Sequence, residues 1–220
     1  MFLTKIHTAI LDFFFPIRCV GCKEIKTHCC EKCLSKITLL LDQMPRPPLE
    51  KELSVGAAAS LQHNETLGEL IHRFKYDGAK EIGPQLAALF DLENQRLPRN
   101  SVLVPVPLHP RRRNARGFNQ SVILAQELAK KYNLQTLELL QRHRYTQPQV
   151  ELKQQQRLIN VRGAFSLKNS AALSQQFDPE KIYVIVDDVL TTGATMNECA
   201  DVLRKNGARK ISGLVIARAR

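Results

Sequence analysis

The chain has 220 residues, room for one α/β domain and a small appendage. Its 44% hydrophobic content is ordinary for a globular protein, and no apolar run approaches the roughly 20 residues that a membrane-spanning helix needs. The net charge of +11 points to a polyanionic partner and is concentrated mid-chain: residues 94–126 hold six arginines and no carboxylate, and residues 142–168 hold six cations with Glu151 as their only acid.

The N-terminal stretch Ala9-Ile-Leu-Asp-Phe-Phe-Phe15 reads as a short amphipathic helix. It contains Asp12 and lacks a small-residue cleavage site, so it is not read as a secretory signal, and a cytoplasmic location is expected. Two Cys-x2-Cys pairs follow, Cys19 with Cys22 and Cys30 with Cys33, seven residues apart. Two such turns complete a tetrahedral zinc site, with Gly21 suited to the first. Four thiolates leave no open position, so the expected role is structural. Cys29 competes with Cys30 for the fourth place, and two disulfides are the alternative use of these residues, disfavoured without a secretory signal. Residues 31–41 read as helical, and three prolines in 42–49 mark a connector. The expected domains are therefore a helix and four-cysteine zinc module over 1–43, a linker over 44–52, and an α/β domain over 53–220.

Within the large domain, residues 55–61 and 101–106 read as strands and residues 66–74, 83–90 and 118–132 as helices. Residues 105–117 read as a loop. Residues 137–165 are polar and weakly periodic, the pattern of a long mobile loop. A buried strand is expected over 182–186, a helix over 195–206 with Thr195 and Glu198 as a capping box and Gly207 as its stop, and a last strand over 210–217. Cys199 falls in that helix as a small buried hydrophobe. Strands alternating with helices predict a mostly parallel sheet.

The most informative run is Ile182-Tyr-Val-Ile-Val-Asp-Asp-Val-Leu-Thr-Thr-Gly-Ala-Thr195. A buried strand ends at two carboxylates, a Thr/Gly loop follows, and a helix begins. Helix N-termini offer N–H groups and a positive dipole end to phosphate, and Gly193 permits close approach. Adjacent carboxylates before a phosphate loop would repel a bare phosphate. They make sense when the ligand also carries hydroxyls, as a ribose does, or a bridging Mg²⁺. The run lacks the residues of a Walker loop or a dinucleotide fingerprint.

The same run resembles the signature of type I phosphoribosyltransferases, which bind phosphoribosyl pyrophosphate (PRPP). Further motifs resemble the ComF competence-protein family: Val104-Pro-Val-Pro-Leu-His-Pro110, Arg116-Gly-Phe-Asn-Gln120, Ile71-His-Arg-Phe-Lys-Tyr-Asp-Gly78, residues 154–165, and the cysteine module. The resemblance implies a type I phosphoribosyltransferase fold, a mostly parallel sheet flanked by helices, with a small N-terminal zinc module of four cysteines.

It also implies roles. Asp187 and Asp188 would be the catalytic pair, holding the ribose hydroxyls or their magnesium. Thr191, Thr192, Gly193, Ala194 and Thr195 would complete the PRPP site around the 5′-phosphate. Pro105, Val106, Pro107, Leu108 and Arg116 would form the pyrophosphate loop, with Arg111, Arg112 and Arg113 either assisting or merely solvated. Tyr145, Thr146, Gln147 and Arg157 would belong to a flexible closing loop, and His72, Lys75 and Tyr76 to a hood over the base. The partners implied are PRPP, single-stranded DNA, and other DNA-uptake or recombination proteins. Three functions follow: a DNA-handling protein of natural transformation, a phosphoribosyltransferase with an unidentified nitrogenous acceptor, and a PRPP-sensing regulator. Scarce aromatics predict DNA binding with little sequence preference.

Overall fold

A computed structural model describes residues 16–40, 53–90, 97–145, 161–168 and 178–219. Five parallel strands form one sheet in the order β1 (Val55–Ser60), β7 (Lys210–Arg218), β6 (Ile182–Leu190), β2 (Ser101–Pro105) and β3 (Gln135–Thr136). The central strands are apolar on both faces because both faces are covered. Leu103, Val184, Val186, Leu214 and Ile216 point into one core with Phe74, Leu86, Leu124 and Leu128. Alternate residues Val102, Val104, Tyr183, Ile185 and Val215 point into a second core with Met196, Cys199 and Leu203. The period-2 alternation of the strands thus divides the side chains between two layers.

The first layer holds the helices α2 (Glu65–Tyr76), α3 (Ile82–Ala88) and α5 (Gln120–Tyr132), and the second holds α6 (Ala194–Lys205). β2 leads through α5 outward to β3, whereas β6 leads through α6 in the opposite direction to β7. The crevice at the carboxyl ends of β2 and β6 is therefore the topological switch point, where open α/β sheets place ligands.

The cysteine segment, with its one-turn helix α1 (Glu31–Leu34), packs on the first layer. Cys19, Val20, Cys33 and Ile37 share a core with Leu67, Leu70 and Phe74. The backbone is tied as well: Arg73 Nη1 donates to the Arg18 carbonyl and Gln85 Nε2 to the Cys29 carbonyl, both at 2.7 Å. Leu40 N–H donates to Ala58 O, and Leu39 bridges Ala59 beside β1. The helix read over 31–41 is thus cut to 31–34, because the chain after it runs extended along a sheet edge. The expected N-terminal helix and the 44–52 linker lie outside the described residues.

Other readings change too. Residues 110–116, read as loop, form a helix, α4 (Pro110–Arg116), with Pro110 at its first position, His109 accepting the Arg111 N–H, and Gly117 as a left-handed C-cap. The ends of the polar stretch 137–165 pair as antiparallel strands β4 (Leu140–Arg142) and β5 (Phe165–Leu167), and residues 146–160 between them lie outside the described residues. β6 does not stop before its carboxylates but runs to Leu190, because β7 continues to pair with it after β2 has ended. The Thr195–Glu198 capping box does not form. Gly193 is the N-cap, and Glu198 Oε2 accepts the Gly163 N–H at 2.9 Å, using its carboxylate on a neighbouring segment.

Candidate functional site

β2 makes its last ladder pair between Pro105 and Val186, and Val106 N–H still donates to Val186 O at 2.9 Å. Beyond that point Asp187, half-buried, and Asp188, buried, line a cavity of about 580 Å³. Its walls include His72, Lys75 and Tyr76 from α2, Val106, Pro107 and Leu108 after β2, Arg112 and Arg116 from α4, Gln120 and Ser121 from α5, Arg142 from β4, and Thr191 and Thr195 around the loop after β6. Four cations therefore face two carboxylates, the balance expected of a site for an anion that also offers hydroxyls.

Asp187 is fixed on one oxygen. Its Oδ1 accepts from Ser121 Oγ and from the Asp188 N–H, both at 2.9 Å. Burial, followed by the charge of Asp188, pushes its carboxyl up to about 7, against the opposing pull of Lys75 and these hydrogen bonds. Asp188 Oδ1 lies 2.7 Å from Lys75 Nζ, and its Oδ2 is buried without a hydrogen-bond partner. Burial would lower Lys75, but Asp188 and then Asp187 outweigh it and hold the ammonium above its ordinary value.

The sequence places these groups through polar anchors at the start of α5. Asn119 caps the helix by accepting the Ser121 N–H, while its Nδ2 donates to Val106 O at 2.9 Å. One side chain thereby fixes the loop after β2 and the helix that presents Ser121 to Asp187. Arg116 Nη1 donates to Gln120 Oε1, and the Arg116 guanidinium stacks 5.4 Å from the Tyr76 ring centroid. Burial lowers Arg116 despite the nearby carboxylates.

After Leu190 the loop turns at Gly193, whose φ of +76° is the left-handed conformation that side chains resist. The positive end of the 12-residue helix α6 then faces the loop. Of the expected phosphate residues, Thr191 and Thr195 line the main cavity, Thr191, Thr192 and Gly193 line a separate cavity of about 290 Å³, and Ala194 is buried. Of the expected pyrophosphate loop, Val106, Pro107, Leu108 and Arg116 reach the cavity, whereas Pro105 is the last residue of β2.

Of the expected hood, His72 and Tyr76 stand 4.9 Å apart by ring centroids, while Lys75 is committed to Asp188. Of the expected closing loop, Tyr145 sits against His109, with Arg111 and Arg112 at 5.6 and 5.7 Å from its ring. Thr146, Gln147 and Arg157 lie outside the described residues. Three residues of this site carried no assigned role in the sequence: Ser121, Gln120 and Arg142. Arg142 is the most consequential. It is buried, its guanidinium lies 5.2 Å from the Phe165 ring, and burial followed by the Arg112 charge lowers it to about 10.

A second cluster lies on the far side of α2. The sulfurs of Cys19, Cys22, Cys30 and Cys33 all fall within 4.8 Å of one another. A tetrahedral zinc–thiolate site, with bonds of about 2.3 Å, requires sulfurs about 3.8 Å apart. Two of the measured separations are 3.8 Å for Cys19–Cys30 and 3.5 Å for Cys22–Cys30, so the donors fit one such ion. Gly21 permits the turn, since a Cβ there would sit 2.7 Å from Cys33 Sγ. Cys29 stands outside the cluster, and burial pushes its thiol up to about 12. Of the two adjacent cysteines, Cys30 is the one whose sulfur lies in the cluster.

Comparison with known proteins gives the family. The family model of the phosphoribosyl transferase domain matches residues 119–220. "Competence protein F" of Haemophilus influenzae is 32% identical, with 91% of this chain and 90% of that protein aligned. The chain belongs to the ComF family. Also within reach are "DNA utilization protein YhgH" of Escherichia coli K12, 34% identical over 88% of this chain and 80% of its own, and "Competence protein ComFC" of Bacillus subtilis, 29% identical over 71% and 62%. This ComF-family chain has the type I phosphoribosyltransferase fold, with the cysteine cluster on its helical layer.

Proposed function

We propose that the cavity binds PRPP and that the chain uses this site while handling single-stranded DNA in the cytoplasm during natural transformation. The observation that carries the first half is the pairing of a half-buried carboxylate, Asp187, with a buried one, Asp188, whose second oxygen lacks a hydrogen-bond partner, beside a Thr/Gly loop and a helix N-terminus inside an otherwise cationic cavity. Asp187 and Asp188 would take the ribose hydroxyls, directly or through Mg²⁺. The loop of residues 191–195 would take the 5′-phosphate. Arg116, with Arg112 and Arg142, would take the pyrophosphate, for which guanidinium forks are suited. Magnesium, when bound, would neutralise pyrophosphate charge. The cysteine cluster would hold zinc as a structural ion. The competence and DNA-utilization names of the relatives support the second half.

Calorimetric titration of Mg²⁺-PRPP into the wild type and into Asp187→Ala/Asp188→Ala tests the binding. Saturable heat that is lost in the double variant is the expected result, and no binding by the wild type removes the reading.

A working transferase is the second reading, and the His72–Tyr76 ring pair at the cavity wall favours it as a seat for an acceptor base. Charge placed around a ribose oxocarbenium would supply the catalysis. Pyrophosphate release across a panel of nitrogenous acceptors distinguishes turnover from binding alone.

A further inference from the structure

Lys75 stands on the last turn of α2, next to the fully buried Phe74 that anchors the helix in the core. Its ammonium crosses from α2 to β6, where Nζ is 2.7 Å from Asp188 Oδ1, with side-chain exposures of 22% and 5%. Asp188 Oδ2 remains buried without a partner in the same cavity. Asp187 is already engaged by Ser121 and by its neighbour's N–H. The carboxylate pair that would receive a metal-bound ribose therefore faces a protein cation before any ligand arrives.

Resting on the binding reading above, we infer that Lys75 is the resident counter-ion of Asp187 and Asp188. It keeps a bare divalent cation off the pair and gives up its place only when the metal enters together with a sugar polyphosphate, whose anionic oxygens then receive the ammonium.

Electrostatics supply the reason. Mg²⁺ sheds water reluctantly and is usually held by one or two carboxylates together with substrate phosphates. With Lys75 in place, a lone metal ion would meet a cavity whose cations already outnumber its carboxylates, and would have to displace an ammonium at contact distance. A polyphosphate brings the negative charge that both the metal and Lys75 can share. Lysine suits this transfer because its ammonium is a compact charge on a flexible four-carbon stem, whereas the guanidiniums of Arg116 and Arg142 lie over aromatic rings.

The probe is Mn²⁺, titrated into the full-length protein without PRPP, with free Mn²⁺ read by electron paramagnetic resonance. The wild type and Lys75→Arg, which keeps the charge, should bind it weakly. Lys75→Gln and Lys75→Met, which keep the stem and lose the charge, should bind it roughly tenfold tighter or more, as expected for removing one like charge at close range near the surface. Circular dichroism of each variant confirms the fold. Equal Mn²⁺ affinity across all four proteins overturns the inference, and so does the absence of binding in the two uncharged variants. Mg²⁺-PRPP titrated into the same wild-type sample reports separately: silence there removes the PRPP reading, while the Mn²⁺ comparison still decides the role of Lys75.

Discussion

Ser121 Oγ donates to Asp187 Oδ1 across 2.9 Å, joining the first turn of α5 to the first carboxylate of β6, 66 residues later in the chain. The bond holds an acid whose burial has raised it to about 7, and that shift gives two pH dependences of opposite sign.

The folded protein keeps the Asp187 proton up to about pH 7, whereas an unfolded aspartate releases it near pH 4. Between those values the folded state binds more protons, so this group's contribution makes stability fall as pH rises through the window. The ligand-free wild type should therefore lose more melting temperature between pH 5.5 and 8 than Asp187→Asn, which cannot ionise. Parallel melting curves for the two proteins would sink the assignment. PRPP affinity should move the other way and weaken below about pH 7, because hydroxyl or metal binding needs the ionised carboxylate.

Arg142 should act on the ligand rather than on the fold. Arg142→Met keeps an apolar stem beside Phe165 and removes the buried charge. PRPP affinity is expected to drop by roughly ten- to a hundredfold, the range of a lost charged hydrogen bond, with stability changed by about 0.5–3 kcal/mol, the ordinary range for a point variant. Calorimetry paired with thermal melts separates the two effects. Unchanged affinity would exclude Arg142 from the ligand.

Zinc content distinguishes neighbouring cysteines. Cys30→Ser should lose the metal, and Cys29→Ser should keep about one ion per chain. Because the cluster shares a core with α2, removing the metal by chelation should lower the melting temperature by roughly 6–12 °C for about 3 kcal/mol of lost stabilisation. Full metal content in Cys30→Ser, measured by atomic absorption, would overturn the ligand set.

The exposed ring of Tyr145, flanked by Arg111 and Arg112, is the place to look for DNA contact. Tyr145→Ala should weaken binding of a single-stranded oligonucleotide by about 1–3 kcal/mol with an unchanged salt slope, since stacking releases no counterions. Arg111→Ala and Arg112→Ala should each reduce the slope by about 0.7. Anisotropy titrations at several salt concentrations resolve the two signatures, and three variants indistinguishable from wild type would place the DNA elsewhere.

The sequence announced what is local. Asp187 to Thr195 and the two Cys-x2-Cys pairs each lie on a single short segment, so residue type and spacing carry their chemistry without knowledge of the fold. Arg142 and Ser121 could not be read this way. One lies in a short strand inside a polar stretch and the other in the first turn of an amphipathic helix, and only the fold brings both to the same cavity. The run Asn119-Gln120-Ser121 did carry a signal, three polar residues at a helix start that are all buried. The capping box misled because local sequence cannot show that Gly163 competes for the Glu198 carboxylate. The helix at Pro110–Arg116 escaped because its four arginines give no apolar face, leaving only its caps as evidence.

Helix α2 grips the cysteine segment at Arg73 and the carboxylate pair at Lys75, two residues further along the same turn. Thermodynamic reciprocity then constrains the molecule: whatever factor an ion in the sulfur cluster imposes on affinity for the sugar phosphate, the sugar phosphate must impose on affinity for the ion. If that factor differs from one, a cell that starves this protein of zinc would also change its response to PRPP, although the two sites share no residue.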